Sequence, residues 1–380
     1  MLKICFLSSM HPPRDKRVFD KEALTLVAAG YSVVHLCPDD GFQSFNEKGV
    51  QIVTYPRPSG IKGRLLQLIR LYRMAVQQDA DCYHCNELDS WLLGVLLKIL
   101  RKKRCVFDVH EHYPSTFAES RFPKWLQSFV ANMIRLIFRV LLPFTDFIVL
   151  AKKTVSDDFP CHPSKKKLVR NFTPLSAVHI ASSKKKPTPG DSLTLVHLGL
   201  FGRNRGWPQL LDAMHIMQHK NIFLKVIGEI NDGTRSEFEH VARQYDLDKR
   251  ISLFDWMPFE EAFEHLINAH VGLVIFQPGI LNHVYAMPHK MFDYMAAGMA
   301  VICPDFAIEV APIVQESGCG VVLDTSDSKA IARELDRLVE NPDLVHDMGL
   351  KGQNAVLTRY NWEAEAVHLL DMYEQLDKNK

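Results

Sequence analysis

The stretch PHKMFDYMAAGMAVICPDF, residues 288–306, joins a helix signal to a strand signal. Pro288 suits the start of a helix, because the N–H that proline lacks has no partner in a first turn. Gly298 suits the position just after a helix, where the backbone adopts a positive φ. Residues 299–303 are apolar throughout, as in a strand buried on both faces. The stretch therefore predicts a helix over 288–297 followed by a strand of a parallel sheet.

The same alternation of helices and apolar strands runs through both halves of the chain. It is interrupted at NFTPLSAVHIASSKKKPTPGD, residues 171–191, where prolines, serines and lysines replace the periodic pattern. A chain of 380 residues is also too long for one ordinary core. The sequence predicts an α/β protein with two doubly wound Rossmann-like domains, 1–173 and 192–360, which face a central cleft and are joined by a linker at 174–191.

Composition and charge exclude several classes of protein. The formal net charge of +1 argues against a nucleic-acid partner, which would call for a clearly basic domain. No G-x-G-x-x-G follows the first predicted strand, which disfavours a dinucleotide-dependent dehydrogenase. The sequence shows no signal peptide and no run of about 18 uncharged apolar residues, and its cysteines lie mostly in strand-like contexts. A cytoplasmic protein is therefore expected.

Ligands of open α/β sheets bind beyond the carboxyl ends of the strands, so the loops after strands are the candidate sites. The loop GLFGRNRG, residues 199–206, joins a predicted strand to a predicted helix. Gly199 and Gly206 would let the backbone approach a ligand, and the start of a helix favours an anion. Arg203 and Arg205 add positive charge with a geometry that matches phosphate. The loop indicates a phosphate site, with an ordinary connecting loop as the alternative.

Lys290 and Asp293 lie one turn apart near the positive end of the helix over 288–297. If their face points into the cleft, Lys290 would neutralise a phosphate and Asp293 would accept hydrogen bonds from a ribose diol. The alternative is a surface ion pair at i, i+3.

The loop HEHYP, residues 110–114, follows an apolar strand of the first domain. From there His110 would face the cleft and either act on a hydroxyl nucleophile or hydrogen-bond a sugar. A structural histidine is the alternative.

Two predicted helices of the first domain combine basic and apolar side chains. The helix over 124–142 is apolar apart from a narrow stripe formed by Ser128, Asn132, Arg135 and Arg139. The basic side chains of the helix over 61–78 are Lys62, Arg64, Arg70 and Arg73. Such helices lie on anionic bilayers or pack in a core, and both interpretations stay open.

Seven segments of the chain form one ordered pattern. They are Asp15 and Arg17, the run from Ala23 to Val33, the strand end YHCN at 83–86, the block DVHEHYP at 108–114, Arg205 with Gly206, the helix PHKMFDYMAAG at 288–298, and NWE at 361–363. In this order and spacing they resemble the family-4 glycosyltransferases, which have the GT-B fold, and the resemblance covers nearly the whole chain.

The resemblance implies transfer of a sugar from a nucleotide-diphosphate donor, with retention of anomeric configuration and without a cofactor or bound metal. The donor would bind the second domain. A glycan or lipid-linked acceptor would bind the first, as in the synthesis of surface polysaccharides. The final segment, 361–380, would be a helix that packs back on the first domain. Because lipid-linked acceptors lie at membranes, peripheral contact of the basic helices with an anionic bilayer is part of this expectation.

The resemblance also assigns roles to individual residues. Asp293 matches the second acid of the family's E-x7-E motif, which holds the donor ribose, and Arg205 and Lys290 would face the diphosphate. The predicted catalytic residues are His110, Arg205 and Lys290. The predicted donor-binding residues are Gly199, Arg203, Arg205, Gly206, Lys290 and Asp293. The predicted acceptor-side residues are Arg17, His84, His110 and Glu111.

Two positions depart from the family's pattern. Tyr285 stands where the first acid of E-x7-E is expected, and Gly199 replaces a basic residue. These departures leave one alternative open, a relative that binds nucleotide sugar or glycan without catalysis. A nucleotide-sugar 2-epimerase, which shares the two-domain architecture, is the other alternative. The D-x-D at Asp246 and Asp248 resembles a metal motif of another glycosyltransferase fold, but it follows a helix, away from the predicted site.

Overall fold

The computed structural model describes residues 1–119, 122–184, 186, 187, 190 and 192–378. The chain divides into two compact units. Unit 1 consists of Met1–Asn171 and Glu363–Lys380, and unit 2 consists of Phe172–Trp362. Each unit is built around its own sheet.

The sheet of unit 1 has eight strands in the order β3-β4-β2-β1-β5-β6-β7-β8. All neighbours pair in parallel except β3 and β4. The strands are β1 (Lys3–Leu7), β2 (Ser32–Asp39), β3 (Ser44–Glu47), β4 (Val50–Pro56), β5 (Cys82–Cys85), β6 (Arg104–Val109), β7 (Phe147–Leu150) and β8 (Lys166–Leu168). The short edge strands β3 and β8 were not predicted, because neither has a continuous apolar run.

Helices connect the strands of unit 1. They are α1 (Leu24–Ala28, preceded by a π-helical segment at Val18–Ala23), α2 (Gly60–Gln78), α3 (Leu88–Arg101), α4 (Tyr113–Glu119) and α5 (Lys124–Leu141). The stacked rings of Trp91 in α3 and Phe107 in β6, with centroids 4.1 Å apart, lie at the centre of the core on this side of the sheet.

The sheet of unit 2 has six parallel strands in the order β11-β10-β9-β12-β13-β14. They are β9 (Leu193–Leu198), β10 (Ile222–Ile227), β11 (Ile251–Phe254), β12 (Val271–Leu273), β13 (Ala300–Pro304) and β14 (Gly320–Leu323). The helices are α6 (Leu175–Ser182), α7 (Trp207–Ile216), α8 (Arg235–Gln244), α9 (Phe259–Ile267), α10 (Leu281–Val284), α11 (His289–Ala296), α12 (Ala311–Ser317), α13 (Ser328–Glu340) and α14 (Pro342–Thr358). Both units therefore have the predicted doubly wound class.

The predicted linker is not an irregular segment throughout. Helix α6 occupies part of it, and its side chains Ala177, Val178 and Ala181 are buried in the core of unit 2. This short helix was missed because prolines, serines and lysines surround it in the sequence. Of the remaining predicted linker, residues 185, 188, 189 and 191 lie outside the described residues.

The last helix, α15 (Trp362–Lys378), packs on unit 1 as predicted. Glu365 pairs with Arg170 at 2.6 Å, and the hydroxyl of Tyr373 lies 2.7 Å from Nδ1 of His84 in β5. These polar contacts, of which the second is buried, connect the last helix to unit 1.

Candidate functional site

In unit 2, helix α11 is fixed against the sheet by Tyr294. The Leu198 N–H donates to the Tyr294 hydroxyl at 2.8 Å. The Tyr294 ring lies on Gly272 of β12, where any Cβ would collide with it. Tyr294 thus sets the position of Lys290, one turn earlier, relative to the end of β9. The helix ends as predicted, with Gly298 at φ +71°.

Lys290 is buried, with only 6% of its surface exposed. Its Nζ donates to the Leu198 carbonyl at 3.0 Å and lies 3.1 Å from Nε2 of His197. Asp293 has no exposed surface and different partners. The alternative of a surface ion pair between Lys290 and Asp293 is therefore wrong.

Three polar side chains surround the ring of Phe276, just beyond β12. The Arg205 guanidinium lies 5.3 Å and the Lys290 Nζ 5.7 Å from the ring centroid, within the range of cation–π contacts. His283 stacks on the same ring at 4.6 Å. We call Arg205, His283, Lys290 and Phe276 the Phe276 cluster. It brings an arginine, a lysine and a histidine from three separate segments of the chain onto one aromatic ring.

The charges within the Phe276 cluster disfavour one another. Burial, and then the charge of Arg205, hold the pKa of Lys290 well below its usual range. Burial also lowers the pKa of His283, and the charges of Arg205 and Lys290 lower it further. An anion bound here would relieve this repulsion and restore the charge of Lys290. His283 was missed as a single residue, although its segment ahead of Pro288 follows a strand.

Gly206 is required by the local backbone. It has φ +83°, and a Cβ there would collide with the carbonyl of Ile275. However, the Gly206 N–H donates to Arg203, and the Gly199 N–H donates to Ile227 at 2.7 Å. These two amides are occupied within the chain, so the loop presents its charge mainly through Arg205.

The side chain of Arg203 does not contact Phe276 but has other partners. Its guanidinium pairs with Glu237 and lies 5.3 Å from the ring centroid of Trp207. The charge of Arg203 is therefore compensated outside the Phe276 cluster. Its donor-binding role stays a prediction without support from this geometry.

The carboxylate of Asp293 is fully engaged inside unit 2. Oδ1 accepts from the Thr173 hydroxyl at 2.9 Å, and Oδ2 lies 3.0 Å from Nδ1 of His289. His289 is the more accessible partner, with 37% of its side chain exposed. A ribose could therefore reach Asp293 only by displacing His289, so the ribose role stays a prediction.

In unit 1, the loops after β1, β5 and β6 meet at the carboxyl ends of these strands. The Glu87 carboxylate accepts from the backbone N–H of Ser9 at 2.8 Å and of Met10 at 2.9 Å. It also lies 2.6 Å from Nδ1 of His11, whose ring makes an edge contact with His110 at 4.9 Å. The predicted strand-end loops thus form one site, which we call the His11 site.

The charges in the His11 site stabilise each other. Burial alone would raise the pKa of Glu87, but the hydrogen bond and charge of His11 and the backbone N–H donors lower it to about 2. Burial likewise opposes a charge on His11, but Glu87, with help from Asp15 and Asp108, raises the pKa of His11 to about 9. His11 is thus held as an imidazolium at neutral pH.

Two predicted acceptor-side residues lie in the interior of unit 1. Arg17 is 4% exposed and binds both oxygens of Asp108 at 2.7 Å. His84 has no exposed surface and contacts Tyr373. In this structure neither side chain reaches a surface that an acceptor could touch, so any effect on an acceptor is indirect. The sequence alone does not show whether an arginine in a strand-end loop is buried in an ion pair or faces a ligand.

The other two predicted acceptor-side residues lie closer to solvent. Glu111 is exposed. His110 is 17% exposed in its side chain, and its Nδ1 lies 3.2 Å from Asp108. Both ring nitrogens of His110 are nevertheless buried and lack a hydrogen bond among the described atoms.

One group among the described residues has the spacing of a metal site. Atoms of Glu22, His84 and Asp108 lie within 4.8 Å of one another, and all three residues are buried. Arg17 already neutralises Asp108, and burial, followed by the charge of Asp108, raises the pKa of Glu22 well above its usual value. A cation here would face the guanidinium of Arg17, so the donor set fits an internal ion-pair network better than a metal.

Two family models match successive parts of the chain. "Glycosyltransferase Family 4" matches residues 17–173, and "Glycosyl transferases group 1" matches residues 179–355. Together they cover both units apart from residues 174–178 and the two ends of the chain. The chain belongs to the family-4 glycosyltransferases of the GT-B fold, and it is a transferase that uses a nucleotide-sugar donor. No curated protein sequence matches it.

Solved structures agree with this fold. The chain is similar to a sucrose-phosphate synthase from Thermosynechococcus elongatus, at 16% identity and TM-score 0.74 with full coverage of both chains. It is similar to HepE from Anabaena in complex with UDP-glucose, at 12% identity and TM-score 0.70, covering 99% of this chain and 100% of that one. It is also similar to WaaG, a glycosyltransferase involved in lipopolysaccharide biosynthesis, at 15% identity and TM-score 0.66, covering 97% and 98%.

Proposed function

We propose that the chain moves a sugar, with retention of configuration and without a metal, from a nucleotide-diphosphate donor on unit 2 to a hydroxyl of an acceptor on unit 1. The acceptor would be a glycan or a lipid-linked carrier in the synthesis of surface polysaccharide. The observation that carries the proposal is the Phe276 cluster, in which Arg205 and Lys290 meet at the strand ends of unit 2. The family of the chain and the UDP-glucose complex of HepE support the donor class.

The chemistry requires positive charge at the leaving group. The bond between the anomeric carbon and the diphosphate oxygen breaks, a bond to the acceptor oxygen forms on the same face, and the acceptor proton passes to the departing diphosphate. Negative charge therefore develops on the diphosphate, where Arg205 and Lys290 would stabilise it. Fixed donors of this kind each contribute about 3–4 kcal/mol to lowering a barrier.

The test is a panel of UDP, GDP and ADP sugars, ranked first by thermal stabilisation and then by turnover with glycan and lipid-linked acceptors. We expect nucleotide diphosphate and a new glycoside with the donor's anomeric configuration, in the presence of chelator. Free epimerised sugar without acceptor would identify an epimerase, and tight binding without turnover a non-catalytic relative. Loss of activity on addition of chelator would overturn the proposal that transfer does not need a metal.

Binding of a nucleotide diphosphate is expected to take up a proton. Burial and Arg205 lower the pKa of Lys290 in the free protein, and a bound diphosphate would raise it. Between these two pKa values the affinity falls as pH rises, because the complex needs a proton that the free protein lacks. Calorimetry over a pH series above about 7, where a phosphate with a pKa of about 6 is already ionised, should include a range in which the heats depend on the buffer.

The matched control for proton uptake is Lys290→Arg, because its guanidinium stays charged in both states. Its binding heat should not depend on the ionisation enthalpy of the buffer. Equal heats for the wild type in all buffers would contradict the assignment of Lys290 to the diphosphate.

We also propose that unit 1 contacts an anionic bilayer. Helix α5 buries only Ile134, Phe138 and Leu141, while Trp125 is 81% and Phe129 62% exposed. Among the described residues, the segment Lys124–Phe144 alone is long and apolar enough to cross a membrane, although little of it is buried. Other exposed apolar side chains lie on α2 (Leu65, Leu66 and Ile69) and on α3 (Leu92, Leu96, Ile99 and Leu100). Most apolar side chains of α5 are not buried, which favours membrane contact over the alternative of a core helix.

Replacing two basic residues of α2 should weaken this contact. Arg70→Glu with Arg73→Glu is expected to lower partitioning onto anionic vesicles at least about tenfold, because each basic residue near the surface contributes about 1 kcal/mol. Added salt should reduce wild-type binding in the same direction. Trp256→Ser is the control, because Trp256 is 83% exposed but belongs to unit 2. Equal partitioning of wild type and double variant onto anionic and neutral vesicles would contradict the proposal.

A further inference from the structure

The His11 site contains two histidines, and they differ in what they offer a ligand. Both ring nitrogens of His110 are buried. His11 has 23% of its side chain exposed, and Glu87 fixes its orientation through Nδ1. Among the described residues, Nε2 of His11 has no hydrogen-bond partner. Of the two histidines, His11 therefore has the more accessible ring nitrogen, and the sequence pattern did not single it out.

The arrangement that holds His11 is rigid. Glu87 begins α3 through a capping box with Ser90, which fixes the carboxylate at the start of that helix. The same carboxylate binds the backbone of the loop that carries His11. A ring held on one side by a buried carboxylate, with its other nitrogen free, is preorganised to donate one hydrogen bond in a fixed direction.

The surroundings of His11 favour a neutral ligand over an anion. Three negative charges raise the pKa of His11. They belong to Glu87 at the start of α3, Asp15 in the same loop and Asp108 in β6. Arg17 neutralises Asp108, which leaves more negative than positive charge around His11. The remaining titratable neighbours are His110 and the buried His35. A sugar hydroxyl can accept from Nε2 without meeting this repulsion, whereas a phosphate cannot.

We propose that His11 contacts substrate in unit 1, where its Nε2–H donates a hydrogen bond to a neutral sugar hydroxyl, while Glu87 positions the ring through Nδ1. This inference rests on the proposed glycosyl transfer. The hydroxyl belongs either to the acceptor or to the transferred sugar, since the two react with each other in the proposed transfer.

Two substitutions of His11 separate contact from structure. Asn places an amide donor near the position of Nδ1, so His11→Asn keeps the hydrogen bond to Glu87 and loses the donor at the position of Nε2. Gln reaches the position of Nε2, so His11→Gln keeps that donor and loses the hydrogen bond to Glu87. With UDP-glucose, or the donor that the panel selects, we expect kcat/KM to fall at least about tenfold in His11→Asn and less in His11→Gln. His162→Asn, which changes an exposed histidine elsewhere in unit 1, should behave as wild type.

Donor hydrolysis in water distinguishes the two sources of the hydroxyl. A loss in transfer alone assigns it to the acceptor, and an equal loss in hydrolysis assigns it to the transferred sugar. Normal kcat/KM in His11→Asn would overturn the inference while leaving the proposed function intact. Absence of turnover by the wild type would overturn the proposed function, and with it the substrate of His11.

The pairing with Glu87 has a readout that does not depend on activity. In ¹⁵N-histidine NMR of the free protein, the signal that disappears in His11→Asn should titrate with a pKa of about 9. Glu87→Gln should lower that pKa and shift the alkaline limb of the pH–rate profile to lower pH, because the imidazolium loses its counter-charge. A His11 pKa that is unchanged in Glu87→Gln would overturn the positioning role of Glu87.

Discussion

Arg205→Gln and Lys290→Gln are each expected to reduce sugar transfer about 10²- to 10³-fold. Arg205 and Lys290 approach the same ring, Phe276, from different segments. Each glutamine keeps hydrogen-bonding capacity but cannot compensate charge on a leaving diphosphate. Because Arg205 is only partly buried, its substitution should change the melting temperature little. Steady-state kinetics with the best donor of the panel is the measurement.

Arg203→Gln is the matched control for charge in the same loop. Its guanidinium is already paired with Glu237, outside the Phe276 cluster. We therefore expect a much smaller loss of activity, although the same formal charge is removed. Equal losses in Arg203→Gln and Arg205→Gln would show that overall charge matters rather than the cluster. Near-normal rates in both Arg205→Gln and Lys290→Gln would refute the leaving-group role.

Asp293→Ala is expected to weaken nucleotide-diphosphate binding at least about tenfold, because a hydrogen bond to a charged group contributes about 1.5–3 kcal/mol. It should also lower the free energy of unfolding, since the Thr173 hydroxyl and the ring of His289 lose their acceptor. Calorimetry and denaturant unfolding measure the two effects separately.

Thr173→Val separates these two effects of Asp293. It removes a buried donor to the carboxylate without touching the more exposed partner, His289. We expect lower stability with nearly unchanged nucleotide affinity. If Asp293→Ala and Thr173→Val alter affinity equally, Asp293 acts through the packing of α11, and the ribose role is rejected.

Local patterns were sufficient to predict much of the fold. The apolar runs of β6 and β7 have the predicted bounds, and Gly298 ends α11 with the positive φ that its position required. The last helix was placed on the first unit by resemblance rather than by any local signal. Edge strand β3, with the sequence SFNE, escaped prediction because a single apolar residue among polar ones also occurs in an ordinary surface loop.

The candidate sites depend on contacts between distant segments, which periodicity cannot supply. Lys290 and Asp293 share one helix, yet the first contacts β9 and the second contacts Thr173, 120 residues away in sequence. Arg17 and Arg205 are both arginines in loops after strands, but Arg17 is buried in a salt bridge with Asp108. His11 is held by Glu87, 76 residues away, so no local pattern around His11 indicates the pair.

The most direct test of the account is a crystal structure with the nucleotide diphosphate that stabilises the protein best. We predict that the diphosphate oxygens lie within hydrogen-bond distance of the Arg205 guanidinium and of Lys290 Nζ, beside Phe276, with the ribose at Asp293 in place of His289. A diphosphate bound away from the Phe276 cluster, with Lys290 still on Leu198 and His197, would contradict the central claim.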